Sequence, residues 1–531
     1  MKKYYFSTLV TLTALSLFAQ EVDLNTYYFS GSDKNNVLNS LKAWELSDGS
    51  ALTDGMPLPS ENTNLVWNNA GYDMNYMYTA YVKSMTINAA GTTFNLNGGN
   101  WVRTVEDFTV NINSSDKYSV SSGIIQAGNG TSPNGYDIGG NMVLNTSKNL
   151  LLRMRCDINY NIEDPSKKRN FSSYSLKVGG QLQMNSSGDG IVRVLLSDSY
   201  YGKPWTLDNT GQMTATLLPA TVNAEIGGMS GKGALSLTKW FSTTATVNFK
   251  DNSNGEFAGG SWEGVLTVFS PQNYTVLDTD NETVKAAKEA LIENAKTAEQ
   301  HISFMMNGSG EQSLKIYKAA NAGKYGINNV SDETDAVIDS LIVNSGKFSM
   351  DTELAVGEVQ LVGGKLAFSS TEKVGKMIID GGELIYAGAI NAGEVIVGAD
   401  SIKVIFSADD IAANELTVLN YDHLDLLYDA NEVFIACDEN GNELGGEFSI
   451  IDGLGGAGSL VYTVPEPAVA AEAGGLLIQF AAGSGLGLRG LGAGDRGLSE
   501  KEKFYFKKRL GVVSEPLFCR FVKNKGGGEV V

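Results

Sequence analysis

The chain is poor in the residues on which much enzyme chemistry rests: 2 histidines and 3 cysteines among 531 residues. Two histidines leave little material for a histidine-based metal centre or a histidine-dependent triad. Cys156, Cys437 and Cys519 stand far apart with no CxxC spacing, so no zinc or redox motif is present. They read as unpaired, with a Cys156–Cys437 bridge as the alternative. Proline is scarce, at 10 residues, which excludes a collagen or a proline-rich linker protein. Lysine and arginine number 40 against 60 aspartates and glutamates, a formal charge of −20. That balance speaks against nucleic acid as a partner, because phosphate binding needs a basic face. Nothing in the sequence implies a cofactor.

What is abundant is glycine, 61 residues, above the roughly 7% of an average chain. Hydrophobic residues make up 42%, enough for a large core or several domains.

Both ends read as addresses. Residues 1–20 open with Lys2 and Lys3, continue through an uncharged stretch from Phe6 to Phe18, and reach small or polar residues before Glu21. This is the plan of a secretory signal peptide rather than a buried helix. Its removal deletes two positive charges and takes the formal charge from −20 to near −22. At the other end Val464, Pro465, Glu466 and Pro467 precede AVAAEAGGLLIQFAAGSGLGLRG. The two prolines favour an extended backbone. Segment 464–490 resembles the PEP-CTERM sorting signal of Gram-negative exported proteins. The resemblance implies processing by an exosortase-type enzyme and transient association with the inner membrane. The destination it implies is the cell surface, outer membrane or extracellular matrix. An atypical basic tail, 491–531, follows.

An internal repeat sets the expected architecture. Ser340–Val343, Glu358–Leu361, Lys376–Ile379 and Glu394–Val397 align without gaps at a spacing of 18. Leu341, Val359, Met377 and Val395 form one apolar column, and Val343, Leu361, Ile379 and Val397 the next. Phe348, Leu366, Leu384 and Ile402 form a third, with Met350, Phe368, Tyr386 and Val404 beside them. Turn glycines recur at Gly346, Gly364 and Gly382, and again at Gly357, Gly375 and Gly393. Period-two alternation means short strands with one buried face. A unit this short must stack on its neighbours. The expected fold is all-β, a right-handed parallel β-helix (β-solenoid); an evenly spaced β-sandwich is the competing reading.

Upstream, strands beginning at Met85, Phe108, Met142 and Leu182 each end in asparagine, at Asn88, Asn111, Asn145 and Asn185. Such asparagines suit left-handed corners or stacked side-chain ladders. In residues 226–268, Ser230-Gly231-Lys232-Gly233 leads into Ala234–Leu237, Thr238-Lys239, Ala245–Phe249, Asp251–Asn254 and Gly259-Gly260. This order resembles the autotransporter-associated β-strand repeat, with Trp240 and Phe241 where that family has glycine after lysine. Residues 21–70 are similar to the opening module of such proteins and read as an N-terminal cap. The expected organisation continues with an irregular solenoid at 71–280 and a helical insertion at 281–301, its helix running from Val284 to Gln300. A regular solenoid with its terminal module then fills 302–463.

Candidate chemistry is sparse. Asp278 to Glu289 superficially matches a calcium loop, but Thr283 stands where glycine is needed, and a capped helix start explains the acids. The Asp438–Glu443 acids flank Asn440-Gly441, a hairpin turn signal. His301 reads as a helix-end cation and His423 as a surface residue. Asp409-Asp410 could form a hydrolytic pair, yet such pairs arise by chance among 60 acids. Trp67, Tyr72, Tyr76, Tyr78 and Tyr81 are the candidate glycan- or partner-binding aromatics, with packing between the cap and first coils as the plainer reading. The expected function is a non-enzymatic surface or matrix protein, adhesin-like. The alternative is a polysaccharide-binding or polysaccharide-cleaving β-helix protein.

Overall fold

Strands of five or six residues with one apolar side gain little alone, and their stability comes from neighbours laid on in register. The computed structural model describes residues 23–31, 40–68, 73–75, 81–89, 93–97, 101–112, 117–122, 134–157, 173–200, 219–270, 275–453, 456–464, 521–524 and 527–530. Its architecture is all-β: a long, mostly parallel solenoid of 33 strands. The chain divides into two units, Met1–Pro467 and Ala468–Val531. The second contains the antiparallel hairpin of Phe521–Asn524 and Gly527–Val530. The first is the solenoid.

Up to Phe269 the chain makes three strands per turn. The first face stacks Asn64–Asn68, Ser84–Ala89, Phe108–Ile112 and Met142–Thr146. The second stacks Thr93–Asn97, Lys117–Ser122, Asn149–Asp157 and Ile191–Tyr200. The third stacks Tyr81–Val82, Trp101–Thr104 and Asn134–Ile138. Longer strands, Ser173–Ser186, Ala220–Thr238 and Gly260–Phe269, bend round corners and join two or more faces. Beyond Phe269 the second face ends. From Gln300 each turn has two strands, one on the third face and one on the first. The 18-residue repeat is this two-stranded coil.

The repeat columns pair residue for residue. Leu341 lies opposite Val359, Val359 opposite Met377 and Met377 opposite Val395, and all four are buried. Gly346, Gly364 and Gly382 turn their corners with φ of 63°, 66° and 80°. Gly375 serves differently: a Cβ there would stand 2.5 Å from the carbonyl oxygen of Gly357 on the coil below.

One column differs from expectation. Leu384 pairs with Val404, not Ile402. Asp400 occupies the place that Gly346, Gly364 and Gly382 hold in the preceding corners. Among the described residues only Asn329 has positive φ without being glycine. The tight corner is therefore not repeated, and the chain advances two further residues. The same finding removes the left-handed role for strand-end asparagines; Asn88, Asn111, Asn145 and Asn185 serve as a ladder instead.

The helix runs Glu282–Thr297, and the strand Gln300–Met306 follows at once. His301 is thus a strand residue and not a helix-end cation. Its main chain pairs in parallel with Val337. The Thr243–Phe249 strand on its other side fixes this choice, because Thr244 pairs with His301.

A strap covers the end of the second face. After Tyr317 the chain leaves the coil, forms the short helix Ala319–Tyr325, and turns at Gly326 with φ of 75°. Ile327 and Val330 then bury against Ile191, Ala234, Val265 and Ala322, a small apolar cluster separate from the main core. Thr334–Asp335 pairs antiparallel with Val268 and Thr267. The Ala336 N–H donates to the Leu266 carbonyl at 2.9 Å. An otherwise open sheet edge is thereby closed.

Each end of the solenoid carries a capping element. Trp44–Glu45 lies antiparallel on Thr26–Phe29, with Trp44 and Trp67 edge to face at 5.2 Å. At the far end Gly458–Thr463 runs antiparallel to Glu415–Leu426 and to Glu447–Asp452. Phe406 stacks on Tyr462 at 4.8 Å beneath this hairpin.

Candidate functional site

The third face places three outward residues one above another. Tyr81 pairs with Arg103, and Arg103 with Asp137. Their neighbours Val82, Thr104 and Ile138 point into the core, so alternation turns the trio to solvent. The Tyr81 hydroxyl donates to Asp137 Oδ2 at 3.0 Å. Arg103 Nε stands 3.5 Å from the same oxygen. The Arg103 guanidinium carbon lies 5.1 Å from the centre of the Tyr81 ring. Partial burial raises the phenol pKa, and the Asp137 bond and charge raise it further against the opposing pull of Arg103. Tyr81 remains 43% exposed.

The column continues with alternating charge. Lys177 stands opposite Asp137, and Glu225 opposite Lys177. Glu225 pairs with Lys250 at 2.8 Å. An exposed aromatic ring with a guanidinium beside it and its hydroxyl bonded to a carboxylate can stack on a sugar ring and hydrogen-bond its hydroxyls. Sequence reasoning found Tyr81 but missed Arg103 and Asp137. Their signal was position: each immediately precedes an inward residue in the same register as Val82.

The other candidates fall elsewhere. Trp67 is 1% exposed and belongs to the core, so it presents no platform. Tyr72, Tyr76 and Tyr78 lie outside the described residues, as do Pro465, Glu466 and Pro467. Val464 closes the folded unit, its N–H donating to the Asn414 carbonyl at 3.0 Å.

Asp280 Oδ2 accepts from the Leu277 N–H and from Lys288 Nζ, both at 2.7 Å. Those bonds hold its carboxyl below the usual aspartate range and organise the approach to the helix. Asp438 accepts from the Asn440 and Asn442 N–H groups and the Asn442 amide, which makes the 438–443 segment a hairpin turn with Gly441 at φ of 81°. Asp410 and Ser407 form the capping box of Ala408–Ile411. Cys437 is a buried free thiol, so it makes no bridge to Cys156. Burial pushes its pKa up. His423 is exposed on Glu415–Leu426, opposite Glu394.

No family model, curated protein or solved structure matches the chain. Among the described residues, no helix is long and apolar enough to cross a membrane.

Proposed function

We propose that the chain is an exported, non-enzymatic surface or extracellular-matrix protein, adhesin-like, whose work is to present a rigid repetitive surface. The observation that carries this reading is the continuous stack of coils with a capping element laid on each end. At roughly 4.8 Å per step, the first-face strands from residue 64 to 438 make a rod on the order of 60 Å long. The described strands of this unit begin at Thr26 and end at Thr463, so in sequence the segments read as export signal and VPEP sorting motif lie on either side of those strands. Processing by an exosortase-type enzyme and release to the cell surface follow from that reading. The test is to locate the native protein by fractionation and determine its termini by mass spectrometry. A mature chain starting near residue 20 and ending near Pro467, outside the inner membrane, is expected. A chain still ending at Val531 in the inner membrane overturns the sorting argument.

Polysaccharide binding is a second reading, favoured by the Tyr81–Arg103–Asp137 group. Purified protein is titrated with acidic and neutral polysaccharides. Tyr81→Ala is expected to lower binding at least tenfold with the unfolding midpoint unchanged. Equal binding by the variant sinks this reading, and cleavage of a polysaccharide by the parent overturns the non-enzymatic one.

A further inference from the structure

The strand Glu447–Asp452 is finished on one side only. Its inner edge pairs antiparallel with Gly458–Thr463. The Phe448 N–H points the other way and donates to Asn431 Oδ1 at 2.5 Å. Antiparallel pairing alternates the direction of backbone groups, so those of Ile450 and Asp452 also point outward, with no strand opposite them among the described residues.

Beyond Phe448 every residue of this strand is exposed. Ile450 is 39% and Ile451 51% exposed. Leu427 and Tyr428, at 75% and 54%, lead into the Ala430–Val433 helix that packs beside it. A strand with two exposed isoleucines and an edge left open past Phe448 is a template for another strand. Elsewhere this fold closes such edges, as the strap does for the second face.

Charge identifies what fits. Residues 404–464 contain 12 aspartates and glutamates and no lysine or arginine. Glu447 and Asp452 bracket the exposed strand, and among the described residues neither meets a basic side chain. A second copy of the chain is disfavoured by repulsion between two such ends. Antiparallel self-pairing through the outward groups of Phe448, Ile450 and Asp452 would set Asp452 against Phe448 and Ile450 against its own copy, so it gives neither acid a cationic partner.

We propose that Glu447–Asp452 is a docking edge for an extended segment of another protein carrying lysine or arginine at two positions five apart. Those residues meet Glu447 and Asp452, apolar residues between them cover Ile450 and Ile451, and main-chain hydrogen bonds extend the sheet.

The full chain is titrated with two fluorescent eight-residue peptides of alternating valine and threonine. One has lysines five positions apart and the other glutamates. The lysine peptide should bind at least tenfold more tightly and weaken as salt rises. Glu447→Lys/Asp452→Lys should reverse the preference, and Ile450→Pro, which removes an outward N–H, should weaken both peptides at least tenfold. Unchanged unfolding midpoints show that these exposed substitutions leave the fold intact. Equal affinity for the two peptides, a preference unmoved by the charge swap, or cross-linking of two copies through this strand each overturns the proposal.

Discussion

Asn111 Nδ2 donates to Asn88 Oδ1 at 2.8 Å, one step of a ladder that runs along the rod. Asn88 donates to Asn68, Asn145 to Asn111, and Asn185 to Asn145, at 2.7–2.9 Å. Asn88, Asn111 and Asn145 each spend one donor and one acceptor on their neighbours, so the column requires both groups on its interior members. Asn111→Ala should destabilise the N-terminal coils by about 1–2 kcal/mol, because two partners lose a bond at once. Asn111→Asp should cost more, since a carboxylate cannot donate to Asn88. Urea unfolding followed by tryptophan fluorescence checks the order; an aspartate variant as stable as the parent rules the ladder out as a stabilising feature.

Gly364 tests the corner geometry. Its φ is 66°, and a Cβ there would lie 2.5 Å from the Gly346 carbonyl oxygen. Gly364→Ala should cost at least about 2 kcal/mol, from left-handed strain and the clash with the coil below. Gly323, with ordinary φ and open space around it, is the control. Gly323→Ala should shift stability by less than about 0.5 kcal/mol. Similar midpoints for the two variants would contradict the corner argument.

How much was legible in the sequence depended on equal spacing. Leu341, Val359, Met377 and Val395 could be aligned because each coil has the same length, so stacking preserves the column. The second face was not legible. Thr93–Asn97 and Asn149–Asp157 sit in coils whose lengths change between Phe108, Met142 and Leu182, and no fixed offset exposes them. Ile402 was misplaced because an apolar residue at the expected offset does not reveal that Asp400 cannot turn a glycine corner. His301 was misread because helical composition ran up to it, while its strand partners Thr244 and Val337 are distant in sequence. In the candidate site Tyr81 stood out by residue type. Arg103 and Asp137 became visible only once the stacking register was fixed.

His301 gives the fold a small pH dependence. Its Nδ1 lies 2.5 Å from Asp339 Oδ1 and its Nε2 3.4 Å from Glu299. Partial burial alone would lower the imidazole pKa, but the Asp339 bond and the two carboxylate charges outweigh it, so His301 titrates above the ordinary value. A raised folded pKa means stability fully present below about pH 6.5 and lost as pH rises through the folded value. The loss should be under about 1 kcal/mol for a pair this accessible. Asp339→Asn should flatten that part of the profile. Unfolding midpoints from pH 5.5 to 9 measure it, and an unchanged slope in the variant would remove His301 as its source.

Arg193 and Glu333 hold the strap at its far end, 140 positions apart in sequence. The guanidinium makes two bonds to the carboxylate, at 2.5 and 2.7 Å, and a third to Ser236 Oγ at 2.8 Å. It also lies over the Phe269 ring at 4.1 Å. Arg193 is almost wholly buried, so removing its partner strands a charge; Glu333→Ala should cost about 3–5 kcal/mol. Arg193→Met/Glu333→Leu should recover most of this, because neither charge is then left alone. The loss should be local. The coils below retain their own core, whereas Ile327 and Val330 lose their anchor, so trypsin should cut after Lys318 and Lys324 while the rest of the solenoid stays whole. Opening also uncovers residues 264–269, a strand edge able to pair with another chain, and the variant should form dimers or larger species by gel filtration as cutting accelerates. Trypsin sensitivity equal to the parent's, or cutting spread evenly through the coils, would show that the ion pair does not hold the strap down.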